Sequence, residues 1–257
     1  MLAILSPAKS LDFESRLPPS RHTMPDFLED SAQLVGRLRE FSPQDLSELM
    51  GISDKLAQLN ADRYAAWKAP FNRRNARPAV LAFNGDAYQG LRAHEFSGRD
   101  LGWAQRHLRI LSGLHGVLRP LDLIQPYRLE MSTPLGTSAG SSLYDFWDER
   151  LTGTIREAVQ ASGTPVLVNL ASKEYFSAVD LTALEARVIT PRFLDFRSGQ
   201  YRFVSFLGKR ARGMMARFII ERRLCFAKGL LEFSEAGYRY DPERSTRDQP
   251  AFIRDPV

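Results

Sequence analysis

Short apolar runs punctuate the chain and predict strands: "LAIL" at 2–5, "AVLAF" at 79–83, "PVLVNL" at 165–170, "RVITPRFLDF" at 187–196 and "YRFVSFL" at 201–207. Each is bounded by turn residues and is the length of a strand. Between them the spacing changes to that of a helix. In "PDFLEDSAQLVGRLREF" the apolar positions are Phe27, Leu28, Leu34, Val35 and Leu38, and in "DLGWAQRHLRIL" they are Leu101, Ala104, Leu108 and Leu111. Strands alternating with helices, with no repeat, low-complexity tract or Gly/Ser linker, predict one α/β domain spanning 1–257, a mixed sheet surrounded by helices. Two stretches read as loops: "STPLGTSAGSS" at 132–142, and 241–257, expected to be a peripheral tail.

Composition narrows the class. The 257 residues are 44% hydrophobic and 25% charged, which is ordinary for a folded chain. The formal charge of +5 favours anionic partners without requiring one. A single cysteine, Cys225, excludes an intramolecular disulfide and a cysteine-based metal cluster, and fits a reducing compartment. His22, His94, His107 and His115 form no HExxH pattern, so no metal site and no cofactor are expected. The N-terminus "MLAILSPAKSLDF" has neither a basic leader nor the length of a membrane span, which predicts a cytoplasmic protein without a membrane partner; a monomer is favoured.

"SPQDLSELMGISDKLAQLN", 42–60, carries the marks of two short helices joined by a turn. Ser42 caps the first, Pro43 and Asp45 suit its opening turn, Gly51 ends it, and Ser53 with Asp54 opens the second. The spacing of Leu46, Leu49, Gly51, Ile52 and Ala57 resembles the helix-hairpin-helix DNA-binding module, although Met50, Ser53 and Asn60 depart from its pattern. In that reading the amides at Ile52 and Ser53 and the Lys55 ammonium face one phosphate of a DNA backbone. A bare αα-corner explains the same residues.

Two basic clusters favour the DNA reading. "SFLGKRARGMMARFIIERRL" sets Lys209, Arg210 and Arg212 where a strand is expected to give way to a helix, with Arg217 two turns on. Cations at a helix start oppose its dipole by roughly 0.3 to 1 kcal/mol each, so an anion is expected there. "NRRNARP" supplies Arg73, Arg74 and Arg77, which a solvated loop would explain equally.

Enzyme signals are sparse. "SPAK" matches the S-x-x-K of Ser/Lys acyl enzymes, with Ser6 as nucleophile and Lys9 as base, yet no KTG occurs and "SDK" replaces SDN. Ser6 is expected to bond backbone instead. The segments after predicted strands, "SPAK", "NGD" and "ASKEY", bring Ser6, Lys9, Asp86, Lys173 and Glu174 into one cleft if the strands run parallel.

"LAILSPAKSLDF", "ISDKLA", "AFNGDAYQGL", "LRILSGLHGVLRPLDLIQPYRLEM", "LYDFW", "NLASKEYF" and "KRARGMMARFIIE" together resemble the YaaA family (UPF0246 type) of bacterial peroxide-stress proteins, from residue 1 to about 240. The resemblance implies a cytosolic protein of the hydroperoxide response, on an unusual α/β fold, that lowers free iron and protects DNA from oxidative damage. It also implies DNA binding through a basic cleft with a helix-hairpin-helix element, onto which Gly51, Ile52, Ser53 and Lys55 map. The expectation is therefore a protein, not an enzyme, that holds double-stranded or structured DNA through backbone contacts. The alternative is an enzyme acting on a phosphorylated or nucleotide-like substrate in the cleft of "SPAK", "NGD" and "ASKEY".

Overall fold

The computed structural model describes residues 1–18 and 21–256. Its larger sheet is built on β1 (Leu2–Leu5), an uninterrupted apolar strand buried at every position, as a strand covered on both faces must be. In chain order there follow α1 (Leu28–Leu38), α2 (Pro43–Met50), α3 (Asp54–Ala66), β2 (Arg77–Pro78), α4 (Ala79–Ala82), α5 (Asp86–Leu91), α6 (Gly98–His107), β3 (Leu108–Ser112), β4 (Gly116–Leu118) and β5 (Leu123–Ile124). Then come α7 (Leu143–Ala161), β6 (Val166–Asn169), α8 (Lys173–Phe176), β7 (Arg187–Ile189), β8 (Arg192–Arg197), β9 (Gln200–Arg202), α9 (Ser205–Glu221), β10 (Arg239–Asp241) and β11 (Ala251–Arg254). The five-stranded sheet has the order β4-β3-β1-β6-β7, with β4 antiparallel to β3 and the other pairs parallel. β1 sits at its centre, Ala3 opposite Leu108 on one side and Val168 on the other.

The second sheet, β10-β11-β8-β9, corrects the expectation of a peripheral tail. β11 lies inside it, parallel to β8 and antiparallel to β10, with Ala251 and Phe252 fully buried. Phe252 stacks on Phe193 at 5.6 Å and meets Phe233 edge-on at 5.5 Å. The flanking Pro250 and charged residues disguise three apolar positions, Ala251, Phe252 and Ile253, that a sheet needs. Buried side chains from both sheets belong to one continuous apolar cluster.

Three other expectations shift. "AVLAF" is the helical turn α4, not a strand: Phe83 N–H donates to Ala79 C=O at 3.0 Å, and the freed amides of Ala79 and Val80 reach the carbonyls of Asp122 and Pro120 at 2.8 and 3.0 Å. A short wholly apolar run has no period to separate the two states. Leu108 and Leu111 do not continue α6 but lie in β3, because the open edge of β1 offers them a ladder. "YRFVSFL" divides between β9 and α9, which already begins at Ser205.

Candidate functional site

Parallel β1 and β6 end side by side, and the chain leaves them into "SPAK" and "ASKEY". With β3 on the other flank of β1, this is the kind of strand-order reversal where open α/β sheets form a crevice beyond their carboxyl ends. A cleft of about 570 Å³ lies there. Its walls are residues 6–10 after β1, 84–89 opening α5, 127–130 beyond β5, Leu170, Ser172, Glu174 and Tyr175 after β6, and Lys209 and Arg212 of α9. Of the residues expected to converge, Ser6, Lys9, Asp86 and Glu174 line it; Lys173 is exposed at the start of α8 and is not part of the wall.

Ser6 has a backbone partner. Its Oγ accepts from the Ser172 N–H at 2.8 Å and donates to Ser172 Oγ at 3.2 Å, tying the two strand ends together. Lys9 pairs with Glu130, Nζ to Oε1 3.1 Å, and Arg128 reaches the same oxygen at 2.9 Å. Glu130 Oε2 is buried and has no hydrogen-bond partner, so one carboxylate oxygen is saturated and the other bare. Glu174 Oε1 accepts from the N–H and Oγ of Ser132 at 3.2 and 2.9 Å. Tyr88 donates to the Ser6 carbonyl at 2.9 Å, and the Tyr127 hydroxyl meets Ser112 Oγ at 2.6 Å. Burial pushes the phenols of Tyr88, Tyr127 and Tyr175 above their ordinary range, which keeps this wall neutral.

The cations of α9 reach the cleft through glycine. A Cβ on Gly213 would stand 1.7 Å from the Ala87 carbonyl oxygen, and one on Gly90 would stand 2.1 Å from that of Arg210. Only bare backbones fit so closely, and the contact lays α9 along α5 with Lys209 and Arg212 beside 84–89. Because α9 starts at Ser205, Lys209, Arg210 and Arg212 lie beyond its first turn, where the dipole has faded. The expected conflict with the helix dipole is thus absent. What distinguishes Arg212 is its surroundings: half-buried over the Phe203 ring at 5.7 Å, it has no carboxylate partner among the described residues, and desolvation lowers its pKa. Arg210 turns instead to a smaller hollow, of about 320 Å³, with Arg92 and Arg217. Arg217 is neutralised there by Glu95 at 2.9 Å and Glu221 at 2.7 Å.

The 42–60 segment is helix, turn, helix. Ser42 and Asp45 form a reciprocal capping box, and Gly51 adopts φ 58° to end α2. The Ile52 amide is not free for a phosphate, since it donates to the Ser47 carbonyl at 3.1 Å. Ser53 stands at the N-cap of α3 without capping it through its side chain, and Lys55 is exposed in the first turn. In the 73–77 cluster, Arg77 is structural: it donates to the carbonyls of Ser15 and Phe13 at 2.7 and 2.5 Å. Arg73 and Arg74 are exposed.

The sequence model for "Peroxide stress protein YaaA" matches residues 1–244. The chain belongs to the YaaA family. It is 53% identical over 254 residues to a UPF0246 protein of Tolumonas auensis, covering 99% of this chain and 98% of that one. A UPF0246 protein of Paracidovorax citrulli is 54% identical over 255 residues, with 99% and 98% covered. Among the described residues of this YaaA-family chain, no helix is long and apolar enough to cross a membrane. Nor do three His, Cys, Asp or Glu side chains gather there as a metal site would require.

Family blocks acquire physical roles in this geometry. In "RPLDLIQPYRLEM", Asp122 is fully buried, accepts from the Arg119 amide at 2.7 Å and Thr23 Oγ1 at 2.5 Å, and so fixes the turn from which 127–130 run to the cleft. Sequence reasoning missed Tyr127, Arg128 and Glu130 as site residues. The available signal was two opposite charges alternating with apolar residues in "YRLEM", which places ionised groups in a run that packs.

Proposed function

We propose that this YaaA-family protein binds double-stranded or structured DNA through its phosphate backbone during the peroxide response and shields it from oxidative damage. Lowered free iron is then an indirect consequence. The observation that carries the reading is the pair Lys209 and Arg212 at the cleft, without carboxylate partners among the described residues, while Lys9, Arg128 and Arg217 are all paired. Unspent positive charge on a folded surface suits a polyanion. Lys55 and exposed Arg73, Arg74 and Arg210 supply further charge, whereas Arg77 and Arg217 are committed within the fold.

Backbone contacts position without specifying, so binding is expected to be indifferent to sequence and steep in salt. Lys209→Glu with Arg210→Glu, both at exposed positions, should weaken unrelated duplexes by similar factors and flatten the salt slope by about 0.9 per lost phosphate contact. Lys55→Glu reports separately on the hairpin, because a first-turn glutamate suits the helix dipole and leaves the fold intact. Unchanged affinity in the double variant rejects the α9 surface; an unchanged Lys55→Glu leaves the hairpin a corner.

A further inference from the structure

We propose that the cleft is a binding site for a single phosphate ester bearing a hydrogen-bond donor at its far end, of which one nucleotide, free as its 5′-monophosphate or turned out of a strand, is the fitting class. Its volume, about 570 Å³, lies within the range of pockets that enclose one small ligand. A base-paired duplex is too wide to enter a cleft of this volume and can only lie across its mouth, so the two ligands share Lys209 and Arg212 and only a single nucleotide reaches Glu130.

The lining offers two chemically opposite requirements. At one side stand Lys209 and Arg212. Arg212 is half withdrawn from water over Phe203, with no carboxylate to offset that desolvation among the described residues. A planar guanidinium in that state is matched by a phosphate that accepts two of its N–H groups. The other requirement is set by Glu130. Lys9 and Arg128 occupy its Oε1, while Oε2 is buried, unpartnered and able only to accept. An exocyclic amine or ring N–H of a nucleobase, or a sugar hydroxyl, satisfies it once the Glu130 side chain, which lines the cleft, turns that oxygen toward the ligand. The neutral phenols of Tyr88, Tyr127 and Tyr175 add no competing charge. Inorganic phosphate meets only the first demand and a free nucleoside only the second.

Such a nucleotide arrives free in solution or extrahelically from a strand. Calorimetric titration of the full chain with the four deoxynucleoside 5′-monophosphates and with inorganic phosphate addresses the first source. At least one nucleotide should bind tenfold or more tightly than inorganic phosphate. Arg212→Gln should weaken it at least tenfold, with Lys209→Gln, at an exposed position, as the companion variant in case the first does not fold. Glu130→Gln should shrink the preference for nucleotide over inorganic phosphate at least threefold. For the second source, a duplex with one unpaired nucleotide should outcompete its fully paired counterpart, and Arg212→Gln or Lys209→Gln should abolish the difference. Nucleotide binding that the cleft variants reduce, or a bulge preference that they abolish, supports the site and names its source. Absence of both, binding or preference that no cleft variant alters, or inorganic phosphate binding as tightly as every nucleotide, overturns it. The titrations with monophosphates contain no DNA, so they read out the cleft even if duplex binding fails.

Discussion

His115 shows what a single buried side chain imposes. Ser31 Oγ gives its only proton to the Phe27 carbonyl at 2.8 Å, so its 2.8 Å contact with His115 Nδ1 has the ring N–H donating. Nε2 is then a buried lone pair without a donor. Phe71 and Tyr127 meet the ring edge-on, and burial depresses its pKa to about 3. Below roughly pH 6.5 the unfolded chain binds a proton that the folded protein refuses, so stability attributable to this residue is complete above that pH. It falls by up to about 1.4 kcal/mol per pH unit as the pH drops toward 3. Denaturant unfolding from pH 7 to 4 should therefore show a steeper loss in the native protein than in His115→Gln, by close to one proton. Equal slopes would reject the assignment.

At the scale of elements, the α5–α9 contact decides where the cleft cations stand. Gly213→Ala drives a methyl into the Ala87 carbonyl, and the helices must part by an ångström or more. Overpacking of this kind costs about 1–3 kcal/mol. The expected outcome is a lowered denaturant midpoint together with weakened anion binding, whereas Gly36→Ala, on α1 with open space at its Cβ, should leave anion binding unchanged. Helix periodicity made α1 and the capped hairpin legible, since Leu34, Val35 and Leu38 repeat correctly and Ser42, Pro43 and Gly51 are local signals. β1 and β6 were legible as continuous apolar runs. The starts of α4 and α9 were not, because "AVLAF" is apolar without period, "VSFL" is too short to show one, and their state is set by distant partners. The glycines that join α5 to α9 look like defects in a helix until both helices are seen together.

For the whole molecule, the pairing of β11 between β10 and β8 makes residues 251–254 part of the core. Phe252→Ala should cost roughly 3–5 kcal/mol, as for other fully buried aromatics, measured by denaturant unfolding. A change within about 0.5 kcal/mol, typical of surface positions, would return the segment to the periphery. Part of the cleft was readable from segment positions alone: Ser6, Lys9, Asp86 and Glu174 follow elements that end together. Glu130 was not, because its place depends on the Asp122 turn and on β3, neither of which has a local signature.

The central position of β1 also sets a schedule. Leu2 is made well ahead of its ladder partner Leu167, which follows only after roughly 8 to 30 s of synthesis at about 5 to 20 residues per second. Through that interval a nascent chain carries "LAIL" with both flanks unclaimed until β3 is made and one unclaimed until β6, a sticky strand edge of the sort that chaperones shelter. The cleft exists only once β6 has docked beside β1 and α9 has followed, so a half-made chain has sticky surface before it has any anion site.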